Sequence, residues 1–569
     1  MRKCKKVIND DGTYSIIINN NVKKIDSDLF TNYKEFTNIT IPDSVTSIDD
    51  YAFYECKNLT NITIPDSVTD IGYGAFENCT RLTSITIPNS VISIGDDVFK
   101  NCIRLEFINV DGDNPNYTSI DGVLYNKDCT ELLCYPTSKT NTSITIPDGI
   151  TSINNYTFNS CINLTSIAIP DGVTSIGKNV FKDCVNLTSI TIPDSVTIIG
   201  EEAFKNCKSL TSITIPDSVT DIGDSAFQNC TGLKKVKLSN NMNNINYKLF
   251  NNCTNLASIT IPDSVTDIGY GAFENCTRLK SITIPNSVID IWDSAFENCT
   301  DLKSINIPKS IIDIDIDKCI FYNCTSLTAI NIDEDNPNYC SIDGILYDKK
   351  CTKLLRCPAG KTGECFTIPN SVKTIGEYAF ENCTRLTSIT IPNSVKEIAD
   401  GTFAYCTSLE SINIPDSVTR IESRAFYKCT RLESINVDID NPNYTSIYGI
   451  LYNKDCTKLL CYPAGKTDTS FTIPYGVITI GFGAFEFCSS LTIVIIPNSV
   501  TDIRKHAFAY CTSLSNVAIS GSSNININRG AFIGSCDLKL CIIPKNSNVS
   551  SEVFDKNTFK FVEVKNGKL

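Results

Sequence analysis

The sequence has almost none of the residues on which catalytic sites usually depend. Its 569 residues include a single histidine, His506, so any Ser-His-Asp or Cys-His arrangement would need that one side chain. The glycines recur in Ile-Gly and Asp-Gly pairs typical of turns, and no glycine-rich phosphate-binding loop is present. We therefore expect no catalytic residues, no cofactor and no enzymatic activity.

Long apolar runs and strong net charge are missing as well. No segment of about 18 consecutive apolar residues exists that could span a membrane. The N-terminal segment MRKCKKVINDDGTYS is basic but lacks the apolar stretch of a secretory signal. The net charge of −13 is mild for this length and argues against nucleic acid as the principal partner.

What the sequence does contain is a repeat. The segment from Cys184 to Cys207 reads CVNLTSITIPDSVTIIGEEAFKNC, and the same pattern returns every 23 residues as far as Cys299. A period of this length is typical of a solenoid, in which each repeat forms one coil that stacks on its neighbours.

The apolar positions of the repeat predict the shape of a coil. The alternation in 190–192 predicts a short strand that Pro193 ends, because proline has no N–H to donate. Val196 then faces the core, and Ala203-Phe204 is predicted to lie on a convex segment. We predict a repeat solenoid that is mostly β with short helical or 3-10 convex segments.

Three longer units interrupt the 23-residue period. They cover residues 103–160, 325–382 and 430–487. Each lies between two cysteines of the main repeat that are 59 residues apart, and we call the cysteines of the main repeat the ladder cysteines. The first contains SIDGVLYNKDCTELLCYP, which predicts a β-hairpin. Cys129, Cys351 and Cys456 are each followed three residues later by leucine, the Cys-x-x-Leu phase of the main repeat. This favours an enlarged double coil with a hairpin-like edge over a detached insert.

No linker or low-complexity segment divides the chain. We therefore predict a single solenoid over 1–569 with atypical terminal coils, as solenoids require. Residues 1–36 would form the N-terminal capping coil and residues 537–569 the C-terminal cap.

The 28 cysteines raise the question of disulfides, metal sites or redox chemistry. Thiols on stacked coils would lie about 4.8 Å apart, too far for an undistorted disulfide between neighbours. No Cys-x-x-Cys pair occurs, so we predict no metal site. We interpret the ladder thiols as small buried groups that donate weakly to loop carbonyls, which suits a reducing setting. Cys4, Cys340 and Cys365 lie off the ladder and are expected to be more reactive.

Acidic strings at 111–114, 333–336 and 438–441 offer oxygen ligands at alternate positions, as calcium loops do. The turn glycine and the bidentate glutamate of such loops are missing, so a hydrogen-bonded turn is the favoured interpretation.

The outward strand positions predict a polar face of serine and threonine. Positions at which the sequence departs from the repeat are the candidate contacts. This set consists of a basic patch near the middle of the solenoid, acidic groups further along the chain and exposed tyrosines of the long units. They are Lys234, Lys235, Lys237, Lys280, Lys303, Glu410, Glu433, Tyr117, Tyr339 and Tyr444. The alternatives without a binding role are that the charged side chains only keep the face hydrated and that the tyrosines pack within the enlarged coils.

The unit CxxLxxIxIPxSVxxIGxxAFxxC resembles the BspA-type leucine-rich repeat over nearly the whole chain, and NPNYTSIDGVLYNKDCTELLCYP resembles a module found among those repeats. The resemblance implies a leucine-rich repeat fold of 23-residue coils with three 59-residue variant modules. It also implies a surface or secreted protein of mucosa-dwelling microbes that adheres to host matrix proteins.

Two functions follow. The first is a non-enzymatic, adhesin-like protein that contacts a host matrix or surface protein and acts as a monomer. The alternative is an intracellular scaffold for protein–protein interaction, favoured by the free thiols and the missing export signal. The location is accordingly either the cell surface or medium, as the resemblance implies, or the cytoplasm.

Overall fold

The computed structural model describes residues 4–10, 12–30, 34–314, 320–361, 363–520, 525–535, 538, 540–544, 547–550 and 561–564. The chain divides into two units, Met1–Cys299 and Thr300–Leu569. Each unit is built of stacked coils with two short parallel strands per coil, here called the first-face and second-face strands. The β-solenoid predicted from the repeat is therefore confirmed.

In Met1–Cys299 an antiparallel strand, Cys4–Ile8, precedes the coils. The first-face strands are Tyr14–Ile18, Asn38–Thr40, Asn61–Ile62, Ser84–Ile87, Phe107–Val110, Ser143–Thr145, Ser166–Ala168, Ser189–Thr191, Ser212–Thr214, Lys235–Lys237, Ser258–Thr260 and Ser281–Thr283. The second-face strands are Lys24–Ile25, Ser47–Ile48, Asp70–Ile71, Ser93–Ile94, Ser152–Ile153, Ser175–Ile176, Ile198–Ile199, Asp221–Ile222, Asn244–Ile245, Asp267–Ile268 and Asp290–Ile291. The long unit adds Tyr117–Ile120, Val123–Asn126 and Glu131–Cys134.

In Thr300–Leu569 the first-face strands are Ser304–Ile307, Ala329–Ile332, Cys365–Thr367, Ser388–Thr390, Ser411–Ile414, Ser434–Val437, Ser470–Thr472, Ile493–Ile496, Asn516–Ile519, Leu540–Pro544 and Phe561–Val564. The second-face strands are Thr374–Ile375, Glu397–Ile398, Arg420–Ile421, Thr479–Ile480, Asp502–Ile503, Asn526–Ile527 and Asn548–Val549. The two long units add Tyr339–Ile342, Ile345–Asp348, Lys353–Arg356, Tyr444–Ile447, Ile450–Asn453 and Lys458–Cys461. Most of the predicted C-terminal cap lies outside the described residues. The two cap predictions and the prediction of a single solenoid over 1–569 stay predictions.

The convex segments differ from the prediction. They are hydrogen-bonded turns, and the described residues contain no α-helix or 3-10 helix. Phe204 donates its N–H to Ala226 on the next coil, whereas Cys207 donates back to Phe204 in its own turn. Glu202 and Asn206 adopt left-handed φ angles of 53° and 63°. Because alternate N–H groups bond between coils, no continuous helical ladder can form.

The core of each unit is a stack of identical side chains. The rings of Phe181, Phe204 and Phe227 are fully buried and follow one another with centroids 5.2 Å apart. Val196 and Leu210 of the same coils are fully buried too. A coil therefore covers its apolar face only when both neighbours are present, as the repeat predicts.

The ladder thiols behave as predicted. The Cys207 thiol is fully buried and donates to the Phe181 carbonyl of the preceding coil at 3.1 Å. The same bond to the equivalent phenylalanine is made by Cys79, Cys102, Cys184, Cys230, Cys253, Cys276, Cys299, Cys406, Cys429 and Cys511. Cys536, another predicted rung, lies outside the described residues.

The long units contain the predicted hairpin, but their phase was assigned wrongly. Strands Tyr117–Ile120 and Val123–Asn126 are antiparallel, and Glu131–Cys134 pairs parallel with the second-face strand Ser152–Ile153. Leu132 therefore aligns with Ile153 and not with the leucine after a ladder cysteine. Cys129, like Cys351 and Cys456, lies in a turn with left-handed φ and is not a rung.

The hairpin of each long unit covers the edge of the preceding first-face strand, where no regular coil follows. The turn residues Asp121 and Gly122 both have positive φ, as a tight two-residue hairpin requires, and a Cβ on Gly122 would lie 2.7 Å from the Phe107 ring. The Gly122 carbonyl accepts the N–H of Ile108 at 2.9 Å. The hairpin thus satisfies a backbone group at the end of the first face.

Candidate functional site

The first face presents the predicted rows of hydroxyl groups. Ser212 and Thr214 are exposed, whereas Ile213 between them is buried. They pair in register with Lys235 and Lys237 on the next coil. Lysine therefore replaces the usual serine and threonine at two adjacent outward positions without altering the strand.

Lys234, Lys235, Lys237 and Lys280 form the basic patch of the first unit, and all four side chains are exposed. None makes an ion pair with a described residue, whereas Lys178 on the convex side bonds Glu201 at 2.6 Å. We call these four residues the lysine patch. Their charges are available to an acidic partner without first breaking an internal pair.

The remaining charged candidates lie in the second unit. Lys303 is exposed and belongs to the second unit. Glu410 and Glu433 are exposed on successive coils, since the Glu433 N–H donates to the Glu410 carbonyl at 2.8 Å. Arg431 approaches the Glu410 carboxylate at 3.4 Å and offsets part of this acidic charge.

The three candidate tyrosines are half-buried, so the expectation of exposed rings was wrong. The Tyr117 hydroxyl accepts the N–H of Ile94 at 2.9 Å, and the Tyr444 hydroxyl accepts that of Ile421 at the same distance. Tyr339 accepts a backbone N–H in the same way. Burial raises the pKa of Tyr117 and Tyr444. The hydroxyls close a second-face strand edge, and any contact of these rings with a partner stays a prediction.

The acidic strings form hydrogen-bonded turns, as predicted. The fully buried Asn114 donates to the carbonyls of Pro88 and Val91, and its oxygen accepts the N–H groups of Asn116 and Tyr117. Asn336 and Asn441 repeat these bonds in the other long units. Across the part of the chain that the structure describes, no group of three or more His, Cys, Asp or Glu is placed to hold a metal ion.

An aromatic row on the convex side of the second unit was missed by the sequence analysis. Its members are Tyr405, Tyr427, Phe487 and Tyr510. The Tyr427 and Phe487 rings meet edge to face at 5.3 Å, and the Phe487 and Tyr510 rings stack at 4.9 Å. The Lys428 ammonium lies 4.8 Å from the Tyr405 ring centroid and 5.1 Å from that of Phe487. The row combines apolar rings with one cation.

Three members of this row occupy a backbone position that suits asparagine. Tyr405, Phe487 and Tyr510 directly precede a ladder cysteine and have φ between 56° and 63°. The equivalent residue in many other coils is asparagine, such as Asn206. Bulky residues rarely adopt this conformation, and such strain tends to occur at functional sites. The signal in the sequence was the change from asparagine to aromatic before the cysteine.

A cleft of about 190 Å³ adjoins the row beside the third long unit. Arg424, Phe482, Glu486 and Arg504 are among its lining residues. Burial raises the pKa of Glu486 to about 7, although the nearby Arg424 and Lys428 oppose the shift. The cleft thus contains a partly buried carboxyl group with the Arg424 guanidinium nearby.

The chain matches the model of the BspA type leucine rich repeat region over residues 8–130, 134–257, 243–343, 360–460 and 464–567. It belongs to the BspA-type leucine-rich repeat family. No curated protein matches the chain. Leucine-rich repeat families typically consist of non-enzymatic binding proteins, so the family indicates a protein-binding repeat protein.

Solved structures similar to this family member include leucine-rich repeat proteins from bacteria. A leucine-rich cell surface protein from Faecalibacterium prausnitzii is 29% identical, with 72% of this chain and 97% of that chain covered and a TM-score of 0.43. A leucine-rich repeat protein from Eubacterium ventriosum is 25% identical over 78% of this chain and 94% of that chain, with a TM-score of 0.35. The pneumococcal vaccine antigen PcpA is 19% identical over 79% and 91%, with a TM-score of 0.28.

No helix among the described residues has the length and apolar character needed to cross a membrane.

Proposed function

We propose that this family member is a non-enzymatic, adhesin-like protein that binds an acidic segment of a host matrix or surface protein through the lysine patch. The observation that carries the proposal is the set of exposed lysines that make no ion pair with any described residue, set into a regular face of hydroxyl groups. Partner contact and a location outside the cell belong to this proposal.

The charges of Lys235 and Lys237 suit a role in partner encounter. Exposed charges of one sign speed association with an oppositely charged surface, and the effect falls with ionic strength. The flat hydroxyl face around them adds hydrogen-bond donors and acceptors but little apolar area. We therefore expect fast, salt-sensitive association with an acidic protein segment.

The test restores the residues of the preceding coil. Lys235→Ser combined with Lys237→Thr reproduces Ser212 and Thr214, which occupy the paired positions. Binding to immobilised host matrix proteins is measured by surface plasmon resonance at two salt concentrations. We expect association to slow about tenfold at low salt and its salt dependence to weaken.

A matched control removes the same charge elsewhere. Lys178→Ser combined with Lys208→Ser deletes two exposed lysines of the same unit that lie off the first face. The control should bind like the unchanged protein. Equal binding by all three proteins would remove the lysine patch from the contact surface.

Location is tested separately. Protease shaving of intact cells, followed by peptide detection, should release peptides of this chain if it is displayed on the surface. Recovery of its peptides only after lysis would favour the intracellular scaffold.

A further inference from the structure

The second long unit carries a pair of cysteines that the other two lack. The sulfur atoms of Cys340 and Cys351 lie 3.0 Å apart. At the position of Cys340 the other long units have Thr118 and Thr445, which pair with the equivalent tyrosine in the same hairpin register. One substitution in one unit has therefore created a thiol pair.

The hairpin holds both thiols in place. Cys340 lies on strand Tyr339–Ile342 opposite Tyr347, and its thiol donates to the Asp348 carbonyl at 3.2 Å. The N–H of Cys351 donates to that same carbonyl at 2.9 Å. Two cysteines anchored to one backbone carbonyl keep their sulfurs facing each other.

The pair differs from the ladder thiols in access. Cys340 and Cys351 are both partly exposed, whereas a ladder thiol such as Cys207 is fully buried and bonded to a carbonyl of the preceding coil. A small reagent can therefore reach the pair without unfolding a coil. The sulfurs need to approach from 3.0 Å to about 2.05 Å to form a bond.

We propose that Cys340 and Cys351 form a reversible disulfide by exchange with a low-molecular-weight disulfide. The Cys351 thiolate attacks one sulfur of the small disulfide, whose other sulfur leaves as a thiolate. The Cys340 thiolate then attacks the Cys351 sulfur of the mixed disulfide and releases the second small thiol. The two protein thiols lose two protons and two electrons, and the small disulfide takes them up as two thiols.

The order of the two attacks follows from the surroundings of Cys340. Burial and the hydrogen bond with Cys351 raise the pKa of Cys340 to about 12. We therefore assign Cys340 the role of the resolving thiol, which ionises only in the second step. Once Cys351 is in the mixed disulfide, its negative charge and its hydrogen bond no longer oppose ionisation of Cys340.

The bond would fix a hairpin that closes an open edge. Tyr339, next to Cys340, accepts the N–H of Ile314 at 3.0 Å through its hydroxyl group. The disulfide ties this strand to the turn at Cys351. Oxidation is therefore expected to slow opening of the second long unit and to leave the other two unaffected.

The test uses the full-length protein and oxidised glutathione. After incubation, free thiols are blocked by alkylation and the protein is digested with trypsin, which cleaves at Lys349 and Lys350 between the two cysteines. Mass spectrometry should find a Cys340–Cys351 linked peptide pair, lost on addition of reduced glutathione. Ladder cysteines should appear alkylated only after unfolding.

Two variants sharpen the result. Cys340→Thr, which restores the residue of the other long units, should abolish the linkage while the protein stays folded. Thr118→Cys should create a new linkage to Cys129 in the first long unit. Mixed glutathione disulfides on Cys340 and Cys351 without a linked peptide would overturn the proposal, as would linkage of either residue to Cys365 instead.

Discussion

Arg356 and Glu381 form a buried ion pair, with 2.9 Å between the guanidinium Nη2 and the carboxylate Oε2. A second guanidinium nitrogen of Arg356 donates to the Tyr378 carbonyl at 2.7 Å. In the other long units the register position of Arg356 is held by Cys134 and Cys461. The second long unit thus differs from the others in its interior as well as in its thiol pair.

Loss of one partner should destabilise this unit. Arg356→Met leaves the Glu381 carboxylate buried without its cation, and we expect a cost of about 3–5 kcal/mol. Hydrogen exchange of the amides in Lys353–Arg356 should report the loss locally. The double variant Arg356→Met with Glu381→Met should regain most of the stability. A double variant as unstable as the single one would show that the cost does not come from the Glu381 carboxylate left without Arg356.

Alkaline pH should weaken the coils through the ladder thiols. Burial raises the pKa of Cys184 and Cys230 to about 12, while an unfolded thiol ionises near 8.5. The folded chain binds more protons in this window, so the free energy of unfolding is unaffected below about pH 8.5 and falls above it. Each such thiol should cost about 1 kcal/mol by pH 9.5.

Denaturant unfolding at pH 7.0 and pH 9.5 checks this pH dependence. Cys184→Ser combined with Cys230→Ser removes two titrating groups, so the variant should lose less stability between the two pH values. An identical loss in both proteins would mean that the thiols do not contribute.

The sequence predicted the solenoid, the buried thiols and the hydrogen-bonded turns at the acidic strings, because each depends on side chains that recur at fixed spacing. It did not predict the convex turns, because the N–H of Phe204 bonds to the next coil and the pattern within one repeat does not show bonds between coils. The phase of the long units was misassigned because Cys129 and Leu132 imitate the ladder spacing. In the structure Leu132 pairs with Ile153.

The candidate contacts were predicted unevenly. The exposure of Lys235 and Lys237 followed from the alternation of the strand, which leaves outward positions in solvent. The role of the Tyr117 hydroxyl could not be read in the same way, because its acceptor site faces Ile94 on another coil. The aromatic row was missed because the change from asparagine to Phe487 before a ladder cysteine gains its meaning only from the left-handed φ of that position.

The asparagines that precede successive ladder cysteines bond from coil to coil and form an asparagine ladder. Because their φ angles are left-handed, this ladder should reverse the usual preference for alanine over glycine. Asn206 donates to Asp183 at 2.6 Å and accepts from Asn229 at 2.8 Å. Asn206→Gly loses these bonds, at about 1–2 kcal/mol in total. Asn206→Ala should cost about 1 kcal/mol more, because alanine resists the left-handed φ. Chemical denaturation measures both.

Lys208 provides the control for that comparison. It lies two residues further on and is not among the residues with positive φ. At this position glycine should therefore be no better than alanine. Equal stability of Asn206→Gly and Asn206→Ala would argue against backbone strain at the ladder.

The aromatic row should contribute to partner binding more than to stability. Phe487→Asn removes two ring contacts worth about 0.5–1.5 kcal/mol each and relieves strain of about 1–2 kcal/mol. We expect the midpoint of denaturation to change little. Partner affinity that falls severalfold would place Phe487 in a contact surface, and unchanged affinity would exclude it.

The hairpins also bear on how a chain of nearly identical coils finds its register. A coil stacked one repeat out of step would meet the same Phe, Cys and Leu side chains, so the core alone penalises slippage weakly. The hairpin of the first long unit adds specific hydrogen bonds to the coils before it, because it accepts the N–H groups of Ile94 and Ile108. A coil skipped next to a hairpin would lose these hydrogen bonds, so the long units should oppose slippage of the stack more strongly than a regular coil does.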